Sequence, residues 1–241
     1  MSASRSRSPS KTASAPRCWL RFAVTQTSAI RSFFLAGPAG RLEALLNEGA
    51  PGAKHAALVC HPHPLFGGTM HNKVVFHAMK TLNGFGFPVL RFNFRGAGLS
   101  EGTHDDGRGE VEDVRAALAW LEAEFHLPIL FAGFSFGAAA GLRASCPDPR
   151  VDSLIALGTP VRVEDRTYGY KFLLACTKPK LLVSGALDPF GPRHELEQLA
   201  ARVPEPKKLV IVEGADHFFA GHLAEMRRAI EEWVRERVAS F

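Results

Sequence analysis

The sequence predicts one α/β domain whose working edge lies at the carboxyl ends of its strands. Three observations lead to this. Residues 129–134 form an apolar run of strand length that passes through Gly133-Phe134-Ser135-Phe136-Gly137 directly into small, helix-permissive residues. That is a strand, a sharp turn and a helix, with Ser135 forced out at the turn. Elsewhere along the chain, strand-sized apolar runs alternate with amphipathic helical patterns, as in α/β architectures. Finally, 241 residues of which 46% are hydrophobic suffice to bury one sizeable core.

Taken in order, residues 1–30 are rich in Ser, Arg, Ala and Pro, with scattered apolar residues. They are expected to be a disordered basic tail or an over-extended translation start, with a targeting segment as the weaker alternative. The domain is expected to span 31–241. Net charge is +5, yet no acidic residue precedes Glu43, whereas Arg5, Arg7, Lys11, Arg17, Arg21, Arg31 and Arg41 do. The remaining 22 Lys and Arg face 24 Asp and Glu, so the body is near neutral and offers no nucleic-acid footprint. The longest apolar runs are strand-sized, so no membrane span and no secretory signal are expected. Cys18, Cys60, Cys146 and Cys176 show no paired spacing. Read as free thiols, they point to a reducing cytoplasm.

Residues 30–35 and 42–46 flank Gly37-Pro38-Ala39-Gly40 and predict an opening hairpin. Residues 56–60 are continuously apolar, as in a strand covered on both faces. The loop His61-Pro62-His63-Pro64-Leu65-Phe66-Gly67-Gly68 follows, with Thr69 as candidate cap of a helix over 70–82. Because Pro62 and Pro64 lack an N–H, only His63, Leu65 or the glycines could donate to an oxyanion from this loop. His61 and His63 with His71 or His77 could alternatively supply imidazoles to a metal, but no Cys or Glu stands at ligand spacing, and no metal or cofactor is expected.

A strand over 87–94 leads into Arg95-Gly96-Ala97-Gly98-Leu99-Ser100. Its glycines match neither a P-loop nor a dinucleotide fingerprint, so this reads as a structural turn beside the site. Val111, Val114, Leu118, Leu121 and Phe125 mark an amphipathic helix that Pro128 ends. Strands over 151–157, 181–184 and 208–212 and helices over 193–202 and 223–238 complete the pattern. The 159–180 connection is too short for an inserted cap domain, and Tyr168 and Phe172 in it are candidate wall residues.

Ser135, Asp188 and His217 thus fall just beyond three strand ends. A serine hydroxyl is a poor nucleophile at neutral pH. It needs an imidazole to accept its proton and a carboxylate to hold the imidazole's tautomer. Asp216, Glu164 and Asp165 compete with Asp188 as the acid. The chain order Ser, Asp, His is that of α/β-hydrolases.

On the elbow at Ser135, the loop from His61 to Met70 and the segment Asn93-Phe94-Arg95-Gly96-Ala97-Gly98-Leu99-Ser100, the chain resembles the α/β-hydrolase superfamily. Within it, the likeness is to small lidless bacterial serine hydrolases related to dienelactone-hydrolase-like esterases, and it covers residue 28 to the C-terminus. It implies a mostly parallel eight-stranded sheet with helices on both faces and no cap domain, and an oxyanion hole built from the Phe136 N–H and one N–H of the His63 to Leu65 stretch. Dienelactone hydrolases proper carry Cys where this chain has Ser135, which favours plain ester chemistry. The expectation is a cytoplasmic serine hydrolase, a carboxylesterase acting on small-molecule esters or thioesters, with a homodimer allowed. Alternatives are acyl transfer or short-peptide hydrolysis on the same triad, and a non-catalytic binding module.

Overall fold

The computed structural model describes residues 29–163 and 166–238. Residues 1–28 of the expected 1–30 tail, Cys18 among them, and the competing acids Glu164 and Asp165 lie outside the described residues, while Ile30 belongs to the first strand. Strands β1 (Ile30–Gly37) and β2 (Gly40–Asn47) form the opening antiparallel hairpin around Pro38 and Ala39. Then follow β3 (Ala56–Cys60), α1 (Lys73–Asn83), β4 (Val89–Phe92), α2 (Arg108–Phe125), β5 (Ile129–Phe134), α3 (Phe136–Ser145) and β6 (Val151–Leu157). A two-stranded ribbon of β7 (Arg162–Val163) and β8 (Arg166–Thr167) and a 3₁₀ turn (Lys171–Ala175) fill the next connection. β9 (Lys180–Gly185), α4 (Arg193–Arg202), β10 (Lys207–Val212) and α5 (Leu223–Val238) finish the fold.

Eight strands form one sheet in the order β1-β2-β4-β3-β5-β6-β9-β10. From β4 to β10 every neighbour pair is parallel, and the hairpin joins antiparallel at β4. Successive side chains of a strand point to opposite faces, so the sheet feeds two cores. Ala56, Leu58, Ile129 and Phe131 pack under α2 and α3, with Val114, Leu118 and Leu142. Ala57, Val59, Leu130 and Ala132 pack under α1 and α5, with Val75, Leu82, Met226 and Ile230. Burial on both faces explains why the central strands read as unbroken apolar runs.

Two local expectations change. Helix α1 starts at Lys73 rather than Met70, because Asn72 is its N-cap, accepting the Val74 amide at 2.9 Å, while Thr69 accepts the His71 amide at 3.3 Å. Cys146 and Cys176 are not free thiols: they form a disulfide with Cα atoms 5.8 Å apart, and only Cys60 among the described cysteines is free and buried. The bond joins the C-cap of α3 to the end of the 3₁₀ turn, 30 residues on. This proximity arises from the return of β6 and the following segment, which no sequence spacing encodes. The cysteine argument for a reducing compartment therefore no longer stands. No helix among the described residues is long and apolar enough to cross a membrane.

Candidate active site

Ser135 sits between β5 and α3 at φ 56°, ψ −121°, a strained conformation for a residue with a side chain. The turn is fixed by the Ser135 amide donating to Leu157 O of β6 at 2.9 Å, and by the Ser135 carbonyl accepting from Ala138 and Ala139. Both flanking glycines are required. A Cβ on Gly133 would lie 2.5 Å from Gly137 O, and one on Gly137 would lie 2.4 Å from His61 O.

The hydroxyl so presented meets a buried imidazole. His217 Nε2 is 2.9 Å from Ser135 Oγ, and His217 Nδ1 is 2.8 Å from Asp188 Oδ2. The carboxylate defines the tautomer: Nδ1–H donates to Asp188, leaving Nε2 to accept from the serine. Asp188 is held in turn, with Oδ1 accepting the Phe190 and Gly191 amides at 2.9 and 3.3 Å and Oδ2 lying 3.2 Å from Ser184 Oγ. Asp216 has a different task. Its Oδ1 accepts the Phe218 and Ala220 amides and shapes the loop that delivers His217. Phe134, Phe190 and Phe218 pack around the imidazole at centroid distances of 4.7 to 5.2 Å. Ser184 and these aromatic neighbours escaped the sequence reading, because nothing in their spacing marks them.

The amide of Phe136 is the first of α3 and has no acceptor within the helix, so it is available to a negatively charged oxygen beside Ser135. On the facing loop, Leu65 is corrected as a donor: its amide is turned to His63 Nδ1 at 3.3 Å. The amides of Phe66, Gly67 and Gly68 also close back within the loop, on His63 and Pro64 carbonyls. The His63 ring packs 4.7 Å from Phe136 and 4.9 Å from Phe66.

A cavity of about 380 Å³ opens over Ser135, walled by His63, Phe66, Phe136, Tyr168, Phe190 and Phe218 among others. None of its lining residues, among those described, is Lys, Arg, Asp or Glu. Tyr168 and Val163 come from the 158–179 segment, which forms no separate cap domain among the described residues. Phe172, the other candidate wall, instead packs on Tyr170 and under the Arg143 guanidinium, because its 3₁₀ turn folds toward α3.

The imidazoles considered as metal ligands do not converge. His61 Nδ1 is 2.6 Å from Pro62 O and its Nε2 accepts the Phe94 amide, while His71 is exposed on a later turn. No group of three or more His, Cys, Asp or Glu among the described residues is placed to hold a metal ion. The glycine turn after β4 is structural. Arg95 forms a bidentate pair with buried Asp113, and its guanidinium lies against Gly109 in the first turn of α2.

A mostly parallel sheet with a strained serine elbow and a hydrogen-bonded Ser–His–Asp chain, whose members follow one another along the sequence as Ser135, Asp188 and His217, defines an α/β hydrolase. The chain matches the α/β-hydrolase domain family over residues 55–236, and it belongs to that family. It is similar to an α/β serine hydrolase homologue from Coxiella burnetii (36% identity, 87% of this chain and 99% of that one, TM-score 0.77). It is also similar to an α/β serine hydrolase without a lid from Xanthomonas campestris (31% identity, 89% and 97% covered, TM-score 0.77). An uncharacterised protein of Rickettsia prowazekii shares 36% identity over 208 residues, 82% of this chain and 86% of that protein. By fold and family the protein is a hydrolase.

Proposed function

We propose that the protein is a serine hydrolase that cleaves small, uncharged carboxylic esters or thioesters through an acyl-enzyme. The observation that carries this reading is the continuous hydrogen-bonded chain from Ser135 Oγ through His217 to Asp188, opening into an apolar cavity. His217 Nε2 takes the hydroxyl proton as Oγ attacks the carbonyl carbon. The imidazolium is stabilised by Asp188, and the tetrahedral oxyanion accepts hydrogen bonds from the Phe136 and His63 amides. The imidazolium then gives its proton to the departing alkoxide or thiolate. Water, deprotonated by the same ring, releases the acid and restores Ser135.

The wall chemistry sets the substrate class. With no charged side chain lining the cavity among the described residues, a charged acyl group would lose its hydration without a partner there, so neutral acyl groups are favoured. The volume, and the lack of an enclosing cap among the described residues, favour short or single-ring acyl groups over long chains. The test is labelling with a fluorophosphonate probe together with turnover of p-nitrophenyl butyrate. Wild type is expected to do both, and Ser135→Ala and His217→Ala neither. A folded wild-type protein that does not label would overturn the assignment in favour of a non-catalytic binding role.

A further inference from the structure

One buried histidine is not used by the chemistry above. His61 follows β3, is fully buried, and hydrogen-bonds through both ring nitrogens. Nε2 lies 2.9 Å from the Phe94 amide, which can only donate, so Nε2 is the acceptor. The ring proton therefore sits on Nδ1 and is donated to Pro62 O at 2.6 Å. Burial lowers the pKa of His61 to about 3, so the neutral ring and this tautomer persist across the working pH range.

The Pro62 carbonyl and the His63 amide belong to one peptide group. A trans peptide is planar, with its C=O and N–H pointing in opposite directions, so whatever fixes the carbonyl fixes the amide. Gly68 packs against the same group: a Cβ there would stand 2.2 Å from Pro62 O. The far end of the loop is tied to β4 and the residue after it. The Met70 amide donates to Asn93 Oδ1 at 2.8 Å, and Arg91 Nη1 donates to Met70 O at 3.1 Å. Between these ties, the loop crosses the mouth of the cavity facing the elbow, where Gly137 approaches the His61 carbonyl.

We propose that His61 is a positioning residue that orients the Pro62–His63 peptide, so that the His63 N–H faces the oxyanion formed at Ser135. The bond to Pro62 O also polarises that peptide and strengthens its N–H as a donor. The proposal rests on the serine hydrolase reading. It assigns His61 no contact with substrate.

The test separates the two bonds of the ring. His61→Asn has a short amide that can still donate to Pro62 O but cannot reach the Phe94 amide. His61→Gln can reach the Phe94 amide but carries its donor past the Pro62 carbonyl. His61→Leu abolishes both bonds. The readouts are kcat and KM for p-nitrophenyl butyrate and Ki for an arylboronic acid, whose adduct with Ser135 places an oxygen in the oxyanion position.

The expected result for His61→Gln and His61→Leu is a loss in kcat of about 100-fold with KM within about threefold, and a comparable rise in Ki. His61→Asn is expected to stay within about tenfold of wild type in kcat, whatever its loss of stability. If His61→Leu does not fold, the Asn and Gln pair decides. A folded His61→Gln with kcat within about threefold of wild type overturns the proposal, as does a kcat loss with unchanged boronate affinity. So does a ranking of the variants by stability instead of by the Pro62 bond. A wild-type protein with no turnover and no boronate binding overturns the serine hydrolase reading and this proposal together.

Discussion

At the scale of single residues, Asp188 and Asp216 show how place decides role. Asp188 is buried, and its Oδ2 lies 2.8 Å from His217 Nδ1. Asp216, one residue before His217, spends its carboxylate on two loop amides. Asp188→Asn should therefore lower kcat on the order of 10³- to 10⁴-fold, because an amide favours the wrong imidazole tautomer. Asp216→Asn retains an acceptor for both amides and should stay within about threefold. Steady-state turnover of p-nitrophenyl butyrate by both variants checks the pair, and the reverse ranking would move the acid to Asp216. Gly137 makes a second point. Its missing Cβ would meet the His61 and Cys60 carbonyls at 2.4 and 2.7 Å, both of them main chain. Gly137→Ala should cost about 1–3 kcal/mol in urea unfolding and lower kcat, by prying the elbow from the end of β3 and the loop after it.

At the scale of elements, the described part of the 158–179 segment supplies wall to the cavity and ties to the core. It gives Val163 and Tyr168 to the cavity and buries Tyr170 and Leu173 against the core. The Tyr170 hydroxyl donates to Pro160 O at 2.7 Å. Two ties bind its end to α3 and the turn after it: the Cys146–Cys176 disulfide, and Lys178 Nζ, which donates to Ser145 O at 2.9 Å and to Asp148 O. A cross-link spanning 30 residues restricts the unfolded chain and should stabilise the fold by about 3.7 kcal/mol in the chain-entropy model. Urea unfolding of wild type with and without a dithiol reductant should differ by that amount, and Cys146→Ser/Cys176→Ser should match the reduced protein. Equal midpoints with and without reductant would show that the thiols are unpaired in solution.

At the scale of the whole molecule, stability is linked to pH through the buried ring of His61. An unfolded histidine titrates near pH 6.5, whereas folded His61 titrates near 3. Between these values the unfolded chain binds a proton that the folded one refuses. The contribution is therefore complete above pH 6.5 and is lost as pH falls toward 3. From pH 7.5 to 4.5 the loss should be roughly 2.5 kcal/mol, on the basis of 1.36 kcal/mol for each pKa unit. Urea midpoints of wild type and His61→Asn at the two pH values check this, since the variant should lack that part of the slope. A slope identical in both proteins would mean that His61 does not carry it.

Much of this protein was legible in the sequence because its signals are local. The elbow at Ser135 is a strand, a turn and a helix read within a dozen residues, and the two-faced burial of β3 and β5 writes continuous apolar runs. The positions of Asp188 and His217 followed from counting strand ends, since parallel strands place all their following loops on one edge. The tertiary structure decided what depends on distant partners. The start of α1 moved to Lys73, where Asn72 supplies the cap after a loop end held by Asn93 and Arg91. Cys146 met Cys176, and Phe172 turned away from the cavity. The Leu65 amide turned to the His63 ring. Spacing along a chain fixes periodicity and the edge a loop occupies, but the direction of one N–H depends on a peptide plane, and that plane is set by contacts from other strands.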